Sequence, residues 1–106
     1  MNVLENVKIL ERYVSADANA VDPVVEMTIE KLLKREASRM TDLKERLLRQ
    51  KRSFEEKYGL GSDEFYRRYQ CGTLGDAMDY MEWAATVDML SGIENRLTLL
   101  QKEAAA

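Results

Sequence analysis

The longest stretch of the chain without a helix-breaking residue covers residues 24–58, which contain neither proline nor glycine. Glutamate, lysine, arginine and leucine dominate this stretch, and all four are good helix formers. Asp22 is a good N-cap residue, and Pro23 suits the first helical position, where no amide hydrogen is needed. Gly59 stands where a glycine commonly ends a helix. The sequence therefore predicts one long helix over residues 22–58.

Two segments carry apolar residues at steps of three and four, the spacing of one helix face. In residues 22–58 the stripe comprises Ile29, Leu33, Ala37, Met40, Leu43, Leu47, Phe54 and Tyr58, with Lys51 at the step between Leu47 and Phe54. In residues 76–104 it comprises Met81, Ala84, Val87, Leu90, Ile93, Leu97 and Leu100. Both stripes are narrow, as in coiled coils, and two such stripes bury each other when their helices pack together. The predicted fold is all-α, a long antiparallel helical hairpin within a single domain over residues 1–106.

Residues 59–75 are predicted to form the tip of the hairpin. Ser62 is predicted as the N-cap of a short helix that ends near Gln70. Asp76 is predicted to cap the last helix, with Asp79 three residues later, as in a capping box. Gly92 interrupts the last helix, and we expect it to allow another backbone to come close.

Residues 1–21 form a separate N-terminal segment in this interpretation. Val3, Val7, Leu10 and Val14 recur at helical spacing, which predicts a short amphipathic helix over residues 2–15. The alternative for "VKILERYV" is an edge strand, as in small DNA-binding dimers.

The charges are unevenly distributed along the chain. Residues 1–30 hold two bases and six acids, a net charge of −4, whereas residues 31–52 hold nine bases and three acids, a net charge of +6. Residues 61–106 hold four bases and eight acids, a net charge of −4. We expect the acidic C-terminal helix to fold back on the basic one, so that the charges meet within the molecule. A nucleic-acid footprint is the alternative, which the lack of interleaved aromatics for base stacking disfavours.

The residue types needed for catalysis are scarce. The chain has no histidine and one cysteine, Cys71, so it lacks the commonest general base and cannot build a cysteine-based zinc site. We expect no enzyme activity, no cofactor and no metal. The alternative is a magnesium site of Asp76, Asp79 and Glu82 with Glu55 or Glu56 from the long helix, as in all-helical nucleotide pyrophosphohydrolases. Capping by the two aspartates is the simpler interpretation.

Five of the aromatic residues are expected to form a structural cap over the hairpin tip together with the two capping aspartates. The predicted tip set is Phe54, Tyr58, Phe65, Tyr69, Asp76, Asp79 and Trp83. Four other residues have no evident internal role, and tyrosine and arginine are common at the energetic centres of interfaces. The predicted partner-binding set is Tyr66, Arg67, Arg68 and Glu82.

Composition restricts the setting and the assembly. No apolar run approaches the roughly 18 residues that span a bilayer, the N-terminus lacks the pattern of a signal peptide, and the lone cysteine suits a reducing compartment. The expected location is the cytoplasm, without membrane contact. A two-helix core is thin, and several apolar residues lie off its seam, which predicts a homodimer or higher oligomer. These residues are Val24, Met27, Leu32, Leu48, Met89 and Leu99.

One segment carries a resemblance to a known family. "FEEKYGLGSDEFYRRYQCGTLGDAMDYMEWAATVDML" is similar to the pattern F-x-x-K-Y-G…F-Y…G-D-x-x-D-x-x-E-W of small helical antitoxin-like proteins from cyanobacterial and archaeal toxin–antitoxin loci. The upstream "DPVVEMTIEKLLKREA" also resembles the start of those chains, so the likeness covers about residues 22–100. It implies a cytoplasmic antitoxin that binds and neutralises a cognate toxin, for which a ribonuclease-like protein is one candidate.

Three functional hypotheses follow. The first is toxin neutralisation by occlusion, in which a long amphipathic helix or the aromatic tip lies across a groove and the acidic helix ends pair with a basic surface. The second is a DNA-binding autorepressor that uses the basic middle helix. The third is a magnesium-dependent nucleotide hydrolase.

Overall fold

The computed structural model describes residues 1–102 and divides the chain into two compact units, Met1–Lys34 and Arg35–Ala106. The described residues form four α-helices and one short 3₁₀ turn, with no strand among them. The helices are α1 (Val3–Ala16), α2 (Pro23–Tyr58), α3 (Ser62–Gln70) and α4 (Met78–Lys102), and the turn is Ala18–Ala20. The all-α prediction is confirmed. Residues 103 and 104, the last two of the predicted C-terminal helix, lie outside the described residues.

In the first unit, side-chain caps begin each helix. The Asn2 side chain accepts a hydrogen bond from the Glu5 amide at 2.8 Å and caps α1. Asp22 accepts from the Val24 amide at 2.7 Å, as predicted for the N-cap of α2. The segment "VKILERYV" is helical throughout, so the alternative of an edge strand is wrong.

In the second unit, the C-terminal part of α2 packs against α4 and forms the predicted hairpin. A cluster of buried side chains joins Leu47 of α2 to Leu90, Ile93 and Leu97 of α4. Met40, Leu43 and Leu48 pack against this cluster, so Leu48 belongs to the core and not to the residues left off the seam. Met81, by contrast, was predicted to lie in the apolar stripe of the last helix but is 51% exposed.

Two glycines with positive φ end helices at the tip. At Gly59 (φ 60°) the chain adopts the left-handed conformation, and the next amide, from Leu60, donates to the Glu55 carbonyl at 3.3 Å. This is the six-to-one bond of a Schellman motif, and the half-buried Leu60 packs against the aromatic residues of the tip. Gly72 (φ 73°) ends α3 in the same way. The predicted glycine C-cap of α2 is confirmed.

The two helix starts at the tip differ from the prediction. Gly61 is the N-cap of α3 and makes no side-chain hydrogen bond, while Ser62 is already inside the helix. The first hydrogen bonds of α4 run to the Ala77 carbonyl, so Asp76 does not cap that helix. The predicted N-caps at Ser62 and Asp76 are therefore wrong, and so is the capping box with Asp79. The Ser62 and Asp79 side chains bond instead to groups on other helices.

Among the described residues 1–102, no helix combines the length and the apolar character needed to cross a bilayer.

Candidate functional site

An aromatic cluster at the tip joins three helices around Trp83. The Trp83 indole from α4 is fully buried and stacks on the ring of Phe65 from α3, with 3.8 Å between centroids and an interplanar angle of 3°. Phe54 and Tyr58 of α2 lie 5.7 Å and 5.8 Å from the same indole, in stacked orientations. Tyr69 packs on Phe65 at 5.7 Å. The structure therefore brings together the five aromatics of the predicted tip set.

A polar chain inside the cluster connects the same helices. The indole nitrogen of Trp83 donates to the Ser62 hydroxyl at 2.8 Å, and Ser62 is only 3% exposed. The Ser62 amide donates in turn to the Glu55 carboxylate at 2.9 Å. Because a buried N–H without a partner costs free energy, these two hydrogen bonds favour one arrangement of the tip over others.

Asp79 joins the start of α4 to the end of α2. Its carboxylate accepts from the Lys57 ammonium at 2.6 Å and from the Tyr58 hydroxyl. The hydrogen bond from Lys57, reinforced by that from Tyr58, lowers the pKa of Asp79, and the same contact with Asp79 raises the pKa of Tyr58. Asp79 is thus a link between helices. Asp76 is exposed and makes no side-chain hydrogen bond within residues 1–102.

Three of the four predicted partner-binding residues have partners within the chain. The Tyr66 hydroxyl donates to the Asp88 carboxylate of α4 at 2.6 Å, which raises the pKa of Tyr66. Arg67 and Arg68 both donate to Glu64, at closest distances of 2.6 Å and 3.0 Å. The hydrogen bonds from these two arginines lower the pKa of Glu64 from 4.5 to about 2. The expectation that these three side chains lack an internal role is therefore wrong, although both guanidinium groups remain largely exposed.

Glu82, the fourth predicted residue, lies on α4 and is exposed. Its backbone carbonyl accepts from the buried Thr86 hydroxyl at 2.8 Å, and its side chain makes no hydrogen bond among the described residues. The structure therefore places Glu82 on a different helix from the three predicted residues of α3, and no hydrogen bond or ion pair among the described residues joins it to them.

The carboxylates proposed for a magnesium site do not converge. Across residues 1–102 no group of three or more acidic or sulfur side chains is arranged to hold a metal ion. Asp79 is occupied by Lys57 and Tyr58, and Glu55 by the Ser62 amide.

Sequence reasoning did not single out the surface of α1. No residue of this helix is buried, although its apolar residues at helical spacing form one continuous face. Four of them, Val3, Leu4, Val7 and Leu10, are between 38% and 79% exposed. The periodicity that predicts the helix also places these apolar residues on one face. Only the structure shows that residues 1–34 leave this face uncovered.

An arginine stripe on α2 is a second surface that the sequence did not single out. It is formed by Arg35, Arg39, Arg46 and Arg49. These residues follow helical steps of four, seven and three, so they share one face, and all are exposed. Within the described residues, Arg39 is the one base of the stretch 31–52 with an ion-pair partner, and that partner is Glu36 of the same helix. The acidic helix α4 does fold back on α2 as expected, but no ion pair joins these bases to α4 among the described residues.

Comparisons with protein-family models, with curated proteins and with solved structures found no match.

We predict that Ser62→Ala destabilises the second unit by about 1–3 kcal/mol, because the buried Trp83 N–H loses its acceptor. Urea unfolding followed by circular dichroism measures the change. Ser91→Ala, at an exposed site of α4, is the matched control and should lie within about 0.5 kcal/mol of the parent protein. Equal stabilities for the two variants would contradict the structural role of Ser62.

The Glu64 carboxyl is predicted to titrate near pH 2. Because its pKa is lower in the folded state than its ordinary value of 4.5, the stabilisation it provides is complete above pH 4.5. That stabilisation is lost as the pH falls through about 2. Carboxyl NMR titration measures the midpoint, and replacing both arginines, as Arg67→Gln/Arg68→Gln, should return it toward 4.5. An unchanged midpoint in that double variant would show that the arginines are not the cause.

Proposed function

We propose that this protein is a non-enzymatic antitoxin that binds a cognate toxin and occludes its active surface, and that it acts in the cytoplasm. The proposal rests on the amphipathic face of α1, together with the family resemblance of residues 22–100.

The observation that supports a protein partner is the exposure of this face. Val3, Val7 and Leu10 lie on one side of the helix, and the helix buries none of its residues. Exposed apolar stripes are costly in water, and an amphipathic helix commonly places such a stripe in a hydrophobic groove of another protein. In this proposal α1 docks into a groove of the toxin.

Charge supports a basic partner surface. Residues 1–30 contain six acids, Glu5, Glu11, Asp17, Asp22, Glu26 and Glu30, against Lys8 and Arg12. A toxin that cleaves RNA needs a basic surface to hold phosphates. The acidic segment would pair with that surface and accelerate association, and α1 would then cover the substrate groove.

The residues predicted from the sequence contribute a second contact in this proposal. Arg67 and Arg68 are anchored by Glu64 and remain exposed, so little side-chain freedom is lost when they meet a partner. Tyr66 is held by Asp88 in a similar way. Glu82 is exposed on α4 and offers a carboxylate to a basic residue of the toxin.

Co-expression with the product of the adjacent gene tests the proposal. We expect that product to arrest growth alone and the parent protein to relieve the arrest. Val7→Asp should abolish the relief, because it places a charge on the apolar face of α1. Co-purification of the two proteins should fall in parallel.

Ile9→Asp is the matched control for this experiment. Ile9 is 42% exposed, against 52% for Val7, but helical spacing places it on the other side of α1. Relief by both variants would remove α1 from the interface, and toxicity that the parent protein does not relieve would reject the antitoxin function.

A DNA-binding autorepressor is the second candidate, and the arginine stripe favours it. A helix that presents four arginines without acidic partners from another helix can contact the phosphates of a duplex. Each phosphate contact releases a counterion and contributes about −0.9 to the slope of log K against log salt.

We predict that the parent protein binds the DNA upstream of its own gene with a salt slope near −4. Arg46→Gln/Arg49→Gln should reduce the magnitude of the slope by about 2, as measured by fluorescence anisotropy. Arg67→Gln/Arg68→Gln removes the same charge from α3 and should leave the slope unchanged. Absence of binding at low salt, or equal losses in the two double variants, would exclude this use of the stripe.

A further inference from the structure

Helix α4 carries a second apolar face on the side opposite its core face. The core face packs on α2 and α3 through Trp83, Leu90, Ile93 and Leu97. The second face is exposed and follows helical spacing. Its members are Met78, Met81, Ala85, Met89, Gly92 and Leu99.

Gly92 lies in the middle of this face, where no packing contact among the described residues requires a glycine. A β-carbon added there would meet no atom within 4 Å, so the second unit does not need a glycine for packing. Among the described residues, no backbone comes close to Gly92. Glycine in a helix interior lowers stability relative to alanine, and its use where two helix backbones come close offsets that cost.

The residues around Gly92 are arranged so that the face complements itself. Asp88 stands four residues before Gly92 and Arg96 four residues after it. Ala85 and Leu99 stand seven residues before and after it. In an antiparallel pair of helices related by a two-fold axis at Gly92, each Asp88 meets the other Arg96, and each Leu99 meets the other Ala85. These two pairs are therefore matched, one in charge and the other in size.

We propose that two copies of this chain associate through this face of α4, antiparallel, with the two-fold axis at Gly92. Asp88 accepts from the Tyr66 hydroxyl through one oxygen, which orients the carboxylate and leaves its second oxygen for Arg96 of the second copy. Arg96 makes no ion pair among residues 1–102 of its own chain. This surface does not include α1, although Tyr66 of α3, which is also a proposed toxin contact, is bonded to Asp88.

Analytical ultracentrifugation of the full-length protein, over a range of concentrations, tests the proposal. The parent protein should sediment as a dimer at micromolar concentration. Gly92→Leu should be monomeric with unchanged helix content by circular dichroism, because the side chain separates the helices. Ser91→Leu, on an exposed position beside the face, should remain dimeric.

Charge variants keep the test decisive where Gly92→Leu does not fold. In the proposed dimer, Arg96→Glu places a glutamate opposite Asp88 of the other copy at two symmetric positions. Repulsion between these carboxylates should raise the Kd of the dimer at least about tenfold. Thr98→Glu adds a negative charge on another side of α4 and should have little effect. Asp88→Arg/Arg96→Glu should restore the dimer.

Three outcomes would overturn the proposal. The first is a monomeric parent protein. If Gly92→Leu then also loses toxin binding, the face belongs to the toxin interface instead. A dimer that survives both Gly92→Leu and Arg96→Glu would overturn the proposal as well. A dimer lost in Val7→Asp but kept in Gly92→Leu would assign self-association to α1.

Discussion

The arrangement of the second unit depends on the contacts of one side chain, Trp83. Its ring stacks on Phe65 and lies beside Phe54, while its N–H is held by Ser62. These contacts connect α4 to α3 and α2 at a single buried point. The rest of the hairpin is a narrow seam that specifies position along the helices weakly, because similar aliphatic side chains repeat along it. The directional bond to Ser62 removes that ambiguity.

The sequence predicts the elements of this fold better than their contacts. The ends of α2 follow from Asp22, Pro23 and Gly59, since local backbone chemistry determines where a helix begins and ends. Ser62 and Asp79 were predicted as caps on the same local grounds, and both predictions failed. Each side chain found a partner on another helix, a tertiary interaction that spacing along the chain does not show.

The candidate binding surfaces were predictable to different degrees. The spacing of Val3, Val7 and Leu10 predicts the apolar face of α1, but its exposure required the structure. The four arginines of α2 lie among the nine bases of residues 31–52, and only the structure shows that they form no ion pair with the described part of α4. The second face of α4 was only partly evident from the sequence. Met89 and Leu99 lie off the seam, but the helix is apolar on two opposite sides, so its periodicity is weak.

The position of Trp83 gives the protein an internal optical probe. It is the only tryptophan in the chain, and its indole is shielded completely from solvent by the stacked rings around it. Its emission therefore originates from one site and changes when that stacking is broken. Ligand contacts at exposed positions elsewhere leave the indole environment intact, so a spectral shift on complex formation would identify a rearrangement of the tip. The same intrinsic signal can thus separate docking to a rigid tip from docking that opens it.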